Sequence, residues 1–307
     1  MKIFVTGATG FVGKEIVRQL RQAGHSVRML VRNKSLGEAR ERTGADIHVG
    51  NILDAESLQG ALKGIDAVIH LVGIISEVGE STFENVHMRG TRNVVAAARE
   101  QAVKRFVHMS ALGTRPDGVS RYHRTKWEAE QIVRGSGLEF TIFRPSLIFG
   151  PRDLFVNLFA KIIRFSLVVP ILGRRDAKFQ PVAIEAVAGA FVKSLTEASA
   201  VGQTFDVAGP QIFTFSEIID QILAVMKRKR LKVHIPAAVA RIQAMFLQFL
   251  FSKILRKAPP LNRDQLIMLQ EDNVGNADTA NKLFGLRPVL FRDGIAKYLA
   301  GDVTRDR

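Results

Sequence analysis

Residues 6–13 read Thr-Gly-Ala-Thr-Gly-Phe-Val-Gly, a G-x-x-G-x-x-G spacing between an apolar run and a helix-period stretch. Glycine at such points allows a tight turn, close backbone approach to a pyrophosphate, and tight helix–strand packing. A helix N-terminus adds unpaired N–H groups and partial positive charge, so the spacing predicts a dinucleotide site. Contacts would come from Gly7, Thr9, Gly10, Phe11, Val12 and Gly13. The next apolar run ends Leu30-Val31-Arg32-Asn33-Lys34. NAD sites usually end this strand with a carboxylate for the ribose hydroxyls. Here Arg32 and Lys34 stand where a 2′-phosphate would lie, which favours NADP(H) and leaves NAD(H) as the alternative. The blander alternative for Arg32 is a solvated strand-end residue. A second pair, Tyr122 and Lys126, stands four residues apart and shares one helix face. A phenol with pKa near 10 is a poor acid–base at neutral pH. A neighbouring ammonium and a nicotinamide cation both favour the phenolate and bring it into a useful range. The Tyr-x-x-x-Lys spacing recurs by chance; its weight here comes from following a fifth apolar run that ends at Ser110.

The elements that must position these groups are legible as a rhythm. Apolar runs at 3–7, 26–32, 46–50, 67–73, 105–110 and 140–150 alternate with helix-period stretches such as 13–23, 83–101 and 121–134. Strands and helices at that spacing imply βαβ units and a parallel sheet, and several runs are apolar on both faces, as covered strands should be. The expected fold is α/β: a Rossmann-type doubly wound parallel sheet over 1–150, with a smaller mixed α/β domain over 151–307. A segment near 180–210 is expected to return to the first domain. In the second part, helices are predicted at 154–165, 184–195 and 215–227, the last opened by a Thr214-x-x-Glu217 capping box, with strands at 204–207 and 232–235. This part should close over the carboxyl edge of the sheet, where ligands of such folds bind.

Composition narrows the chemistry. Of 307 residues 47% are hydrophobic, enough for a sizeable core, and none is cysteine, which excludes disulfides, thiolate zinc sites, iron–sulfur clusters and cysteine nucleophiles. No His/Asp/Glu cluster has metal-ligand spacing. No run of about 18 apolar residues suggests a transmembrane helix, and a strand beginning at the first residues suggests a cytoplasmic protein or one numbered after processing. The 44 Lys+Arg against 29 Asp+Glu give a net charge of +15. Between Gln221 and Arg263 stand ten basic residues and no acidic one.

Taken together, TGATGFVG at Thr6, HLVG at His70, ENVHMRGTRNVVAAA at Glu84, RFVHMSALG at Arg105, YHRTK at Tyr122 and FRPSLIFGPRD at Phe143 resemble the extended or atypical short-chain dehydrogenases/reductases, relatives of the nucleotide-sugar epimerases. The resemblance spans residues 1 to about 195. It implies that Tyr122 is the acid–base, that Lys126 binds the nicotinamide ribose and tunes Tyr122, and that Ser110 bonds the reacting oxygen. It further implies that Asn51 and Ile52 border the adenine and that Leu71, Val72 and Gly73 pass under the cofactor. Pro145 to Leu147 would approach the nicotinamide amide, and Asn85 would support the site. The family's serine-rich stretch is reduced here to Ser110, twelve residues before the tyrosine, and Ala111 is the alternative occupant of its position. His108 and His123 are expected to be structural or exposed. Within the superfamily the chain is most similar to the branch of the NADPH-binding accessory subunit of respiratory complex I and its bacterial relatives, some linked to ubiquinone metabolism.

The segment from Lys227-Arg-Lys-Arg230 through the apolar stretch 236–257 has two readings. On a helix, Arg241, Gln248, Ser252 and Arg256 fall on one stripe, with Val239, Ile242, Phe246, Phe249, Leu250 and Ile254 covering much of the rest. It is either a core helix lining the substrate pocket or a surface docking on an anionic membrane or membrane complex. Nothing resembles a nucleic-acid-binding motif. Two functions follow. One is an NADP(H)-dependent oxidoreductase acting on an apolar carbonyl, alcohol or quinone-like substrate. The other is a non-catalytic NADP(H)-binding accessory subunit, peripheral on the inner face of a membrane.

Overall fold

The computed structural model describes residues 1–32, 44–236 and 261–300, with 238, 239, 242, 245, 251 and 259 between the last two stretches. Lys34 and most of the 236–257 segment, including its whole polar stripe, lie outside the described residues.

The alternating apolar runs form the strands of one parallel sheet. These are β1 (Lys2–Thr6), β2 (Ser26–Val31), β3 (Asp46–Val49), β4 (Ala67–His70), β5 (Arg105–Met109), β6 (Glu139–Pro145) and, after four short strands, β11 (Gln203–Val207). Their order is β3-β2-β1-β4-β5-β6-β11, every neighbour parallel. The reversal of order beside β1 creates the crevice at the carboxyl ends of β1 and β4. This is the doubly wound Rossmann-type architecture expected. The apolar run 140–150 is not one strand. The backbone turns after Pro145, where the Ser146 N–H donates to Val207 O at 2.9 Å and the Leu147 N–H to Asn273 Oδ1 at 3.1 Å. The separate β7 (Ile148–Phe149) then pairs with β10 (Val182–Ala183).

Helices cover both faces of the sheet. α1 (Phe11–Gln22) follows the glycine turn. α2 (Gly90–Glu100) is preceded by a π-helical turn, Glu84–Arg89, so the stretch 83–101 is not the single regular helix its periodicity suggests. α3 (Arg121–Arg134) begins where the Ser120 hydroxyl accepts the His123 N–H at 3.1 Å and stops at Gly135. α4 (Leu154–Phe165) is capped by Asp153, and α5 (Ile184–Ser194) packs against α1. α6 (Phe215–Val225) has the expected capping box, with Glu217 accepting the Thr214 N–H at 2.7 Å. Three short helices follow: α7 (Arg263–Met268), α8 (Asp278–Leu283) and α9 (Phe291–Leu299).

The core divides in a way that fixes the site. Val182, Val187, Phe191, Phe205 and Phe284 pack with Ile3, Val5 and Ile16, so the middle of the second half joins the sheet's own core. A separate cluster of Val156, Phe159, Ile163, Phe179, Phe215, Ile219 and Phe291 holds the smaller unit, which includes β8 (Val168–Ile171), β9 (Lys178–Phe179), β12 (Phe213–Thr214) and β13 (Leu231–His234). Burying such side chains contributes roughly 1.5–3 kcal/mol each. The fully buried Glu130 of α3 accepts from Arg144 Nε and Nη2 at 2.8 and 2.6 Å, pinning α3 to β6.

Candidate nucleotide site and Tyr–Lys pair

The glycine turn has the geometry its sequence implies. Gly7 has φ +73°, and a Cβ there would lie 3.3 Å from the Leu71 and Val72 backbone, so the turn presses directly on the end of β4. At Gly13 a Cβ would overlap the Gly7 carbonyl oxygen and lie 2.7 Å from Ala8 Cα. Gly10 is extended at the N-cap of α1, with no side chain capping the helix and no acidic residue in its first turn. The first-turn N–H groups of α1 (Phe11, Val12 and Gly13) therefore have no side-chain acceptor, and the residues present fit a pyrophosphate. Thr9 lies in the same turn, half-buried. Arg32 is exposed at the end of β2.

Of the two residues expected to border the adenine, Asn51 accepts the Leu53 N–H on its side-chain oxygen at 3.1 Å, shaping the turn after β3. The buried Ile52 gives its carbonyl to Asn93 Nδ2 at 2.8 Å. The Leu71 N–H donates back to Thr6 O at 3.2 Å, and Val72 and Gly73 follow, with a Cβ at Gly73 falling 3.6 Å from Lys126 Nζ. Pro145 ends β6 and accepts the Leu112 N–H at 2.9 Å.

The pair Tyr122 and Lys126 sits on the inner face of α3. Lys126 is 2% exposed, and its ammonium donates to Met109 O at the end of β5, at 2.6 Å. Burial lowers its pKa to about 8, opposed by the carboxylate of Glu130. Tyr122 is half-buried among the rings of Phe83, His87 and His123, whose centroids lie 6.0, 5.4 and 5.4 Å away. Burial pushes its phenol up to about 12, so at neutral pH it is the protonated, donating form. The expected depression by the ammonium does not offset this: burial is the cause of the shift. Ser110 is buried with its hydroxyl 3.3 Å from Thr114 Oγ1.

Asn85 lies in the π-helical turn, and its side-chain amide donates to Glu80 O at 2.9 Å. From this turn Glu84 pairs with Arg121 of α3 at 2.8 Å, and His87, which sequence reasoning did not single out, reaches further along the same helix. Its Nε2 accepts the Ile74 N–H at 3.2 Å and therefore carries no proton. Its Nδ1–H donates to Thr125 Oγ1 at 2.9 Å, and that hydroxyl donates to Arg121 O at 2.9 Å. Thr125 lies between Tyr122 and Lys126, so His87 ties the loop after β4 to the helix carrying the pair. The signal available was the motif itself: a π turn adds a residue to the usual helical spacing, so offsets counted along it do not transfer.

His108 and His123 are both buried, neither exposed. His123 Nδ1 lies 3.6 Å from Glu271 Oε2, and the other oxygen of Glu271 pairs with Arg115. Glu271 belongs to a late segment that crosses the site. Asn262 Nδ2 donates to Ile75 O and Ser76 Oγ at 2.7 Å each. Asp264 accepts the Arg121 N–H at 2.7 Å, capping the helix of the pair. Asn273 Oδ1 accepts from the Ser146 hydroxyl at 2.6 Å and from the Leu147 N–H. Among the described residues, no three His, Asp or Glu side chains are grouped to hold a metal ion.

Residues 7–151 match the NAD(P)H-binding family. The chain is 28% identical over 90% of its length to the Arabidopsis thaliana mitochondrial NADH dehydrogenase [ubiquinone] 1 alpha subcomplex subunit 9. It spans 69% of that protein, and 62–64% of four further mitochondrial NADH dehydrogenase or oxidoreductase subunits that it matches. It is 26% identical to sterol demethylase protein B of Methylococcus capsulatus, with 98% of each chain covered. Among solved structures, UDP-glucose 4-epimerase of Thermotoga maritima superposes with a TM-score of 0.76 at 20% identity, covering 100% of this chain and 99% of the other. Glycine turn, strand order and these likenesses converge: the chain has the NAD(P)-binding, epimerase/dehydratase-like fold of the short-chain dehydrogenases/reductases, with curated relatives among the alpha subcomplex subunits 9 of mitochondrial NADH dehydrogenase.

Proposed function

We propose that the protein is an NADP(H)-dependent oxidoreductase that reduces an apolar carbonyl or quinone-like substrate, with Tyr122 as its acid–base. The observation that carries this reading is the half-buried Tyr122 phenol, without a hydrogen-bond partner among the described residues, beside the buried Lys126 ammonium. A bound reduced nicotinamide supplies a hydride to the carbonyl carbon. Tyr122 holds its proton at neutral pH and delivers it to the carbonyl oxygen as the alcohol forms. Lys126, released from the Met109 carbonyl toward a ribose hydroxyl, then stabilises the phenolate left behind until solvent reprotonates it. Phe83, His87 and His123 surround the phenol with ring edges, an environment suited to an apolar substrate, and the likeness to a sterol-directed protein supports the same class.

The test is loss of nicotinamide absorbance when the protein and NADPH meet apolar carbonyls, quinones and a lipid extract. Turnover is expected, and Tyr122→Phe should lower kcat at least about 100-fold while leaving the Kd for NADPH within a factor of about three. A second reading, an NADP(H)-binding accessory subunit without turnover, draws support from the likeness to the mitochondrial subunits and from the Ser110 hydroxyl being turned to Thr114. Tight NADPH binding with no turnover in any pool would favour it.

Arg32 is the proposed 2′-phosphate ligand. NADPH should bind about 10- to 100-fold more tightly than NADH, the range of a charge-assisted hydrogen bond. Arg32→Asp should abolish or reverse that ratio in a fluorescence titration. Equal wild-type affinities would refute this role for Arg32.

A further inference from the structure

The smaller unit exposes an apolar face beside β8 and β13 among the described residues. β8 and β13 pair in parallel, with Leu231 opposite Val168 and Val233 opposite Pro170. Side chains alternate along a strand, so these four share one face of the ribbon. Val169 and Ile171 point the other way, into the core of the unit. Lys232 likewise turns inward, its ammonium donating to Asp220 at 2.7 Å and to Ser216 at 2.8 Å. The outer face therefore presents Val168, Pro170, Leu231 and Val233 without a charge. Phe165 and Leu167, at the entry to β8, add exposed apolar surface beside it: they are 77% and 78% exposed, and Leu231 is 65% exposed. Contiguous exposure of large apolar side chains marks an interaction surface.

The edge of this face is basic. Lys227-Arg228-Lys229-Arg230 leads directly into β13, and no acidic residue occurs between Gln221 and Arg263. Lys227 and Lys229 are exposed. Cations rimming an apolar face would repel a second copy of the same surface, whereas anionic headgroups above acyl chains complement both features. We propose that the β8–β13 face and the Lys227–Arg230 run dock the protein on an anionic membrane surface. Docking would also bring the Tyr–Lys pair toward lipid. Leu172 and Ile235, at the far ends of β8 and β13, pack with Leu266 of α7, the helix whose Asp264 caps the helix of the pair. Such docking is independent of turnover and serves either reading of the nucleotide site.

The experiment is co-sedimentation of the full chain with phosphatidylcholine vesicles, with and without phosphatidylglycerol. The protein should pellet with the anionic vesicles, release at high salt, and remain in solution with the neutral ones. Lys227→Glu with Lys229→Glu should weaken partitioning about 30-fold or more. Leu167→Ser with Leu231→Ser should weaken it at least about tenfold. Unchanged NADPH affinity in both variants would show that they are folded. Absence of vesicle binding, or binding indifferent to the leucine substitutions, would overturn the proposal. So would a wild-type dimer dispersed by the leucine substitutions, because the face would then belong to a second copy.

Discussion

Lowering the pH from about 6.5 to 5 is expected to destabilise the fold through three buried imidazoles, His70 alone accounting for about 1.5 kcal/mol. His70, His87 and His108 are all buried, and desolvation first, then the nearby Lys126 ammonium, holds each well below its ordinary value, His70 at about 3. Native chains keep all three neutral where unfolded chains bind a proton on each. Stability is therefore fully present above about pH 6.5 and falls as pH drops toward the depressed values, with a slope of up to about 1.4 kcal/mol per unit for each imidazole that stays neutral. Urea denaturation at several pH values reads the slope directly. His108→Leu should flatten it, because His108 loses its titration and no hydrogen bond: neither ring nitrogen has a partner among the described residues. The same variant should be as stable as wild type, or more so, at pH 7. A slope unchanged in His108→Leu would contradict the assignment.

The second large effect belongs to Gly13. Gly13→Ala puts a methyl onto the Gly7 carbonyl and Ala8 Cα, backbone atoms that cannot rotate away. The turn must move off the helix N-terminus, and with it the N–H groups that would face the phosphates. NADPH affinity should fall at least about 100-fold, and Tm should drop by several degrees. Gly60→Ala is the control. That glycine has positive φ, +70°, but nothing stands within 4 Å of its missing Cβ. Its variant should lose only about 1 kcal/mol of stability and leave affinity unchanged. Equal nucleotide binding by Gly13→Ala and wild type would show that the turn does not hold the phosphates.

Much of the architecture was written locally in the chain. Parallel strands covered on both faces are continuous apolar runs, and caps such as Ser120 and Thr214 mark where helices start, so residues 121–134 could be bounded from sequence. What could not be read lies where spacing or distance breaks the local code. The π turn interrupts the helical period over 84–89, and nothing local announced that His87 would reach Thr125 of α3. The backbone turn after Pro145 depends on an amide of Asn273, which no periodicity announces. Nor did composition reveal that Lys232 would turn inward and leave Leu231 and Val233 facing out: the basic run was legible, its apolar neighbour was not. The segment 261–276 carries little amphipathic pattern, because its role is made of single side-chain bonds to distant carbonyls and amides.

That crossing segment has a consequence for how the protein is made. Its bonds join residues far apart in sequence: Asn262 to Ile75 across 187 positions, Arg115 to Glu271 across 156, and Asn273 to Ser146 across 127. Contacts of such separation form late, since a long loop must close before any of them adds stability. During synthesis the glycine turn and the first βαβ units can assemble as soon as they emerge. The capping of α3 by Asp264 must wait until most of the chain has left the ribosome. A nascent chain can therefore become able to hold nucleotide well before its Tyr–Lys pair is locked in place.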